Sequence, residues 1–91
     1  MAVAVIVEFA VGTAEQYDAI QSELKLSGWP PQNTFHVAGP TGDGGWRVVD
    51  VWDSAEAFQA FAGGQLGALA QKHGIASAPK VVIWPVHNRE P

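Results

Sequence analysis

Residues 46–58 read Trp46-Arg47-Val48-Val49-Asp50-Val51-Trp52-Asp53-Ser54-Ala55-Glu56-Ala57-Phe58. The first seven are mostly β-branched or aromatic, the composition of a strand. Ser54 is a helix cap, because its hydroxyl accepts from a backbone amide of the first turn. Glu56 follows where the helix dipole favours an acid. The stretch is therefore a strand running straight into a helix. Phe58, Phe61, Ala62, Leu66 and Leu69 carry the helix on as an apolar stripe. Gly63-Gly64 predicts a bend or break in it, and Gly74 its stop.

Working outward, Gly39 to Gly45 hold four glycines and predict a long turn. Thr34 to Ala38 is then a short strand, paired with 46–52 as an antiparallel hairpin. With the turn centred near Gly42, His36 is expected across from Val48, with Trp46 and Asp50 on its diagonals. Further upstream, Thr13 and Gln16 have capping-box spacing. Tyr17, Ile20 and Leu24 follow at helical spacing, and Trp29-Pro30-Pro31 cannot extend that helix. Val3 to Phe9 is apolar on both faces, the pattern of a central strand. Lys80 to Trp84 is a last strand, closed by Pro85. The tail beyond it is free to cross to a partner.

The order β-α-β-β-α-β predicts an α+β, ferredoxin-like fold over a single domain, residues 1–91. Right-handed crossovers are expected to set strand 3 beside strand 1, in parallel, with both helices on one face of the sheet. Alternation then divides the side chains. Val3, Val5, Val7, Phe9, Phe35, Val37, Val49 and Val51 form a uniformly apolar set suited to lie under the helices. Ala4, Ile6, Glu8, His36, Ala38, Trp46, Val48, Asp50 and Trp52 form the other set, joined by Val82 and Trp84 and expected on the bare face. Aromatics mixed with acids and a histidine suit an interior formed when two sheets meet in a homodimer, with room for a small aromatic or hydrophobic molecule.

Composition narrows the partners. Five basic residues against nine acidic ones give a net charge of −4. With no basic run, neither nucleic acid nor an anionic membrane surface is expected. The first residues lack a basic n-region and are too short an apolar run to span a bilayer. There is no cysteine, which removes thiolate chemistry and fits a cytoplasmic location. A small chain without disulfides often gains burial by oligomerising.

The element order and the segment Val49–Phe58 resemble the dimeric α/β-barrel superfamily, most nearly its antibiotic-biosynthesis-monooxygenase branch. The resemblance implies paired sheets and a substrate held inside the barrel or between sheet and helices. It also implies, among several activities, oxygenation of polyketide-type aromatics without metal or flavin, so no cofactor is expected. Trp52 matches that family's packing Trp. Haem-degrading members carry a His on helix 2, where this chain has Ala62.

His36 is the candidate general base, oriented by Asp50, whose charge in an apolar strand requires a partner. Trp46, Trp52 and Trp84 are candidate walls for a flat ligand, and Glu8 a further candidate contact. Arg47 has the opposite parity and is expected in a rim salt bridge. Trp29 either pins its loop or covers a cavity mouth. His36, His73 and His87 share no metal-ligand spacing, so no metal site is expected. The glycine-rich turn joins two strands and lacks the Lys and helix of a phosphate loop. The expected function is a small cofactor-independent monooxygenase-like or cyclase-like enzyme. The alternatives are a non-enzymatic dimeric ligand-binding or stress-related protein, and a haem binder.

Overall fold

The computed structural model describes residues 1–91. The elements are β1 (Val3–Phe9), α1 (Ala14–Ser27), β2 (Asn33–Pro40), β3 (Trp46–Trp52), α2 (Ala55–Phe61), a π-helical segment (Ala62–Leu66), α3 (Gly67–Lys72) and β4 (Lys80–Pro85). The four strands form one sheet in the order β2-β3-β1-β4. This is the α+β, ferredoxin-like arrangement.

Local chemistry fixes the ends. The Thr13 hydroxyl accepts from the Gln16 amide at 3.1 Å, and the Gln16 side chain accepts from the Thr13 amide at 3.1 Å, closing the capping box. The Ser54 hydroxyl accepts from the Ala57 amide at 3.1 Å. The β2–β3 turn uses Gly42 and Gly44 at φ +92° and +93°, a region closed to most side chains. The pair Gly63-Gly64 does not break its helix. It lies in the π-helical segment, which joins α2 to α3 in one continuous arm.

Two expectations are corrected here. β3 lies beside β1, but antiparallel to it. The crossover through α1 makes β1 and β2 parallel, and the hairpin reverses β3, which then fits between them. The faces are corrected as well. In an antiparallel pair, residues directly opposite share a face. Val3, Val5, Val7 and Phe9 stand opposite Trp52, Asp50, Val48 and Trp46. His36 stands opposite Asp50, not Val48, because the turn is centred one residue later than expected. The helix-covered face therefore carries His36, Asp50, Trp46 and Trp52 together with the alternate residues of β1.

The bare face carries Ala4, Ile6, Glu8, Phe35, Val37, Arg47, Val49, Val51, Val82 and Trp84. Several of its large apolar members are open to solvent, among them Phe35, Val37, Val82 and Trp84. The tail folds back on its own sheet. The Val86 amide donates to the Ala2 carbonyl at 3.0 Å, and Arg89 lies 5.7 Å above the Phe35 ring and donates to the Thr34 hydroxyl at 3.1 Å. No helix is long and apolar enough to cross a membrane.

The core lies between the sheet and the second helical arm: Val3, Val5, Val7, Phe9, Trp52 and Phe58. Phe58 meets the Trp52 ring edge to face at 5.8 Å. Phe58→Ala is expected to lower the unfolding free energy by about 3–5 kcal/mol in urea denaturation, the usual cost of truncating a buried Phe. A loss within about 0.5 kcal/mol, typical of a surface position, would contradict this core.

Candidate active site

β2 and β3 set His36 and Asp50 side by side, and α1 brings Tyr17 over them. His36 Nδ1 is 2.6 Å from Asp50 Oδ1, and His36 Nε2 is 2.5 Å from the Tyr17 hydroxyl. The Trp52 indole N–H donates to the second carboxylate oxygen of Asp50 at 3.2 Å. A carboxylate can only accept, so Asp50 selects the neutral ring tautomer with its proton on Nδ1. Nε2 is then an acceptor, and the Tyr17 hydroxyl donates to it. Asp50 is buried, and its two hydrogen bonds are what make that burial tolerable.

The rings around this chain are aromatic. Tyr17 and His36 lie parallel with centroids 5.9 Å apart, and Trp29 meets His36 edge-on at 5.2 Å. Burial pushes the Tyr17 phenol above its ordinary value of 10.0, and the negative charges of Asp50 and then Asp18 push the same way. The resting phenol is therefore firmly protonated at neutral pH.

These groups border a cavity of about 60 Å³ between the sheet and the helices. Tyr17, Trp29, His36, Trp46 and Asp50 line it from α1, the following loop and the sheet. Phe58, Phe61 and Leu66 close it from the second arm. That arm is fastened to α1 by exposed bonds. Gln65 donates to the Ser27 hydroxyl at 2.7 Å, Lys72 pairs with Glu23 at 2.7 Å, and His73 also contacts Glu23. The hydrogen bonds from Lys72 and then His73 hold the Glu23 carboxyl below its ordinary range.

The expected site residues separate into three groups. His36, Asp50 and Trp46 meet at the cavity. Trp52 lies behind it, fully buried, and reaches the site only through its bond to Asp50. Glu8 and Trp84 lie on the opposite face of the sheet and do not join the others. Glu8 pairs with Arg47 at 2.8 Å, and Trp84 borders a separate cleft under the tail. No group of three or more His, Cys, Asp or Glu side chains is placed to hold a metal ion.

Tyr17 is the member that sequence reading missed, since it was counted only as part of an apolar stripe. Its signal was a phenol where a plain hydrocarbon would pack, because a buried hydroxyl needs a partner.

No family model matches the chain, and no curated protein does. Solved structures do. A protein of unknown function from Nitrosomonas europaea superimposes with a TM-score of 0.75 at 20% identity, over 99% of this chain and 93% of that one. SnoaB, a cofactor-independent oxygenase from Streptomyces nogalater, gives 0.68 at 17% identity, over 99% and 97%. A Caulobacter crescentus protein assigned to the antibiotic biosynthesis monooxygenases gives 0.68 at 16%, over 96% and 91%. The chain thus has a ferredoxin-like fold, and its backbone is similar to those of solved structures described as antibiotic biosynthesis monooxygenases.

Tyr17 is the single tyrosine of the chain. Alkaline titration of tyrosinate absorbance therefore reads this site alone. The midpoint is expected above 10.0 and lower in Asp50→Asn than in the parent, because one of the charges raising it is gone. The sign for stability follows. The folded state holds the phenolic proton more tightly than the unfolded chain, so this contribution is complete below the unfolded value and is lost as pH rises toward the folded one.

Proposed function

We propose that this chain is a small cofactor-independent enzyme, monooxygenase-like or cyclase-like, that takes a proton from an aromatic or polyketide-type molecule in the cavity beneath its helices. The observation that carries the reading is the Asp50–His36–Tyr17 chain at a mostly apolar cavity. His36 is the general base and Asp50 its orienter, the arrangement that holds an imidazole in the tautomer able to receive a proton. Tyr17 relays. It gives its hydroxyl proton to His36 Nε2 as its oxygen receives the substrate's, so no free phenolate forms. Asp50 then stabilises the charged imidazole. Trp46 and Trp29 supply flat walls.

The deprotonated carbon has two courses. It attacks a carbonyl of the same molecule and closes a ring, or it gives its electrons to dioxygen. In the second course a carbon hydroperoxide forms and loses water to leave a ketone, so that one CH₂ and one O₂ become one C=O and one H₂O. The likeness to SnoaB supports the second course.

The substrate enters by displacing the second arm. A cavity of about 150 Å³ is known to take benzene, and this one measures about 60 Å³. The open apolar sheet face, with Phe35, Val37, Val82 and Trp84 exposed, supports a homodimer joined sheet to sheet. The lack of cysteine supports a cytoplasmic location. A second reading is a dimeric carrier of small hydrophobic ligands without catalysis, favoured by the mostly apolar cavity lining.

A panel of aromatic ketones and phenols, followed by oxygen uptake and by tryptophan fluorescence, separates the readings. The enzyme reading expects turnover that falls about 10²–10⁴-fold in His36→Ala, the usual worth of a general base, with quenching by the ligand retained. Saturable quenching without turnover gives the carrier. Turnover unchanged in His36→Ala contradicts the proposed mechanism.

A further inference from the structure

The indole N–H of Trp46 is buried without a hydrogen-bond partner, and it is the sole buried side-chain polar atom so left. Such an orphan is costly and uncommon enough in folded proteins to require a reason. The position offers no internal one. Trp46 opens β3 between Phe9 of β1 and Pro40 of β2, neither of which has a side-chain acceptor. Its ring lines the cavity, with its centroid 5.2 Å from that of Tyr17.

Gln21 and Asn33 also line the cavity, but two groups stand on the rings beside the relay itself. An indole nitrogen only donates. The Tyr17 hydroxyl spends its one proton on His36, so its oxygen is left as an acceptor. One free donor and one free acceptor thus stand on neighbouring rings. The complementary molecule presents an accepting oxygen next to an acidic hydrogen, and an enolisable carbonyl has both on adjacent atoms.

We infer that the Trp46 N–H is the donor that holds the carbonyl oxygen of the substrate. The inference rests on the proposed proton relay through Tyr17 and His36. The step balances without an oxidant. The α-carbon–hydrogen bond breaks, its proton goes to the Tyr17 oxygen, and the phenolic proton goes to His36 Nε2. The electron pair moves onto the carbonyl oxygen as an enolate, where charge develops against the Trp46 N–H. A donor fixed where charge develops favours the transition state over the ground state.

β-Tetralone and its oxygen-free counterpart tetralin are the probes, used with the full chain. In deuterium oxide the protein is expected to exchange the α-hydrogens of β-tetralone faster than buffer does. The Trp46 indole N–H resonance, identified by its loss in Trp46→Phe, is expected to move downfield with β-tetralone and not with tetralin. Trp46→Phe keeps an aromatic wall but a smaller one, so its affinity for tetralin measures the lost ring contact. Its affinity for β-tetralone should fall about five- to tenfold further than that, the loss of one ordinary hydrogen bond. Its exchange rate should fall further than its binding does.

An indole resonance that responds alike to both probes overturns the inference, as does an equal loss of affinity for both in Trp46→Phe. The two levels of the argument separate through His36→Ala. If that variant loses exchange and Trp46→Phe does not, the relay stands and the Trp46 assignment falls. If the parent protein exchanges no faster than buffer, both fall.

Discussion

A carboxylate buried in the middle of a central strand governs the rest of this molecule. Asp50 has no water to turn to, so its hydrogen-bond partners must be supplied by the fold. His36 supplies one across the β2–β3 ladder, and Trp52 supplies the other from two residues along the same strand. The first of these bonds depends on register. A two-residue slip of the hairpin would put His36 opposite Val48 and Thr34 opposite Asp50, taking the imidazole away from the carboxylate. The charge therefore enforces the pairing that the turn permits, and the cost of a wrong register is an unpaired buried ion. From Asp50 the ties spread to both helical arms. His36 reaches Tyr17 of α1, and Trp52 packs on Phe58 and Phe61 of α2.

The two arms are held very differently. α2 is anchored by Phe58, which is packed into the core. Beyond it, the π-helical segment and α3 are fastened to α1 by Gln65, Lys72 and His73, all through bonds at or near the surface. Exposed bonds of that kind stabilise weakly and are screened by salt. The π-helical turn has Gly63 and Gly64 with open space where a side chain would sit, so its backbone meets no packing there. Local opening follows the path of fewest buried contacts. The roof made by Leu66 and Ala70 is thus the part of the cavity wall least costly to lift, while the Asp50–His36 floor stays fixed in the sheet.

Element order was legible in the sequence because each boundary has a chemical marker: Thr13 and Ser54 caps, the Pro30-Pro31 stop, the glycine turn, Pro85. The pairing of His36 with Asp50 was legible as chemistry, since a strand acid needs a partner, and its register was not. One residue of error in the centre of the turn moves the partner by two. The facing of the sheet is hidden for a related reason. Uniform hydrophobicity does not mark the covered face, since Phe35, Val37, Val49 and Val51 are as apolar as the alternate valines of β1 yet lie on the opposite side. Only the interstrand register links the parity of one strand to the next, and that link is a tertiary fact. Tyr17 was hidden by the same rule. Helical spacing places it on the buried stripe but says nothing of what its hydroxyl meets.

The same register sets the division of labour between the two faces. The covered face takes His36, Asp50, Trp46 and Trp52 beside the alternate residues of β1, and there the polar pair is shielded from water and its hydrogen bonds are strengthened. The bare face is apolar apart from the Glu8–Arg47 pair. Had the polar set stood on the bare face, Asp50 and His36 would have been solvated as long as that face stayed open. The covered arrangement shields the His36–Asp50 pair without a second chain. A fold shared at 20% identity or less leaves such details free, and the hydrogen-bonded set Tyr17–His36–Asp50–Trp52 on α1, β2 and β3 is built by this chain's own residues.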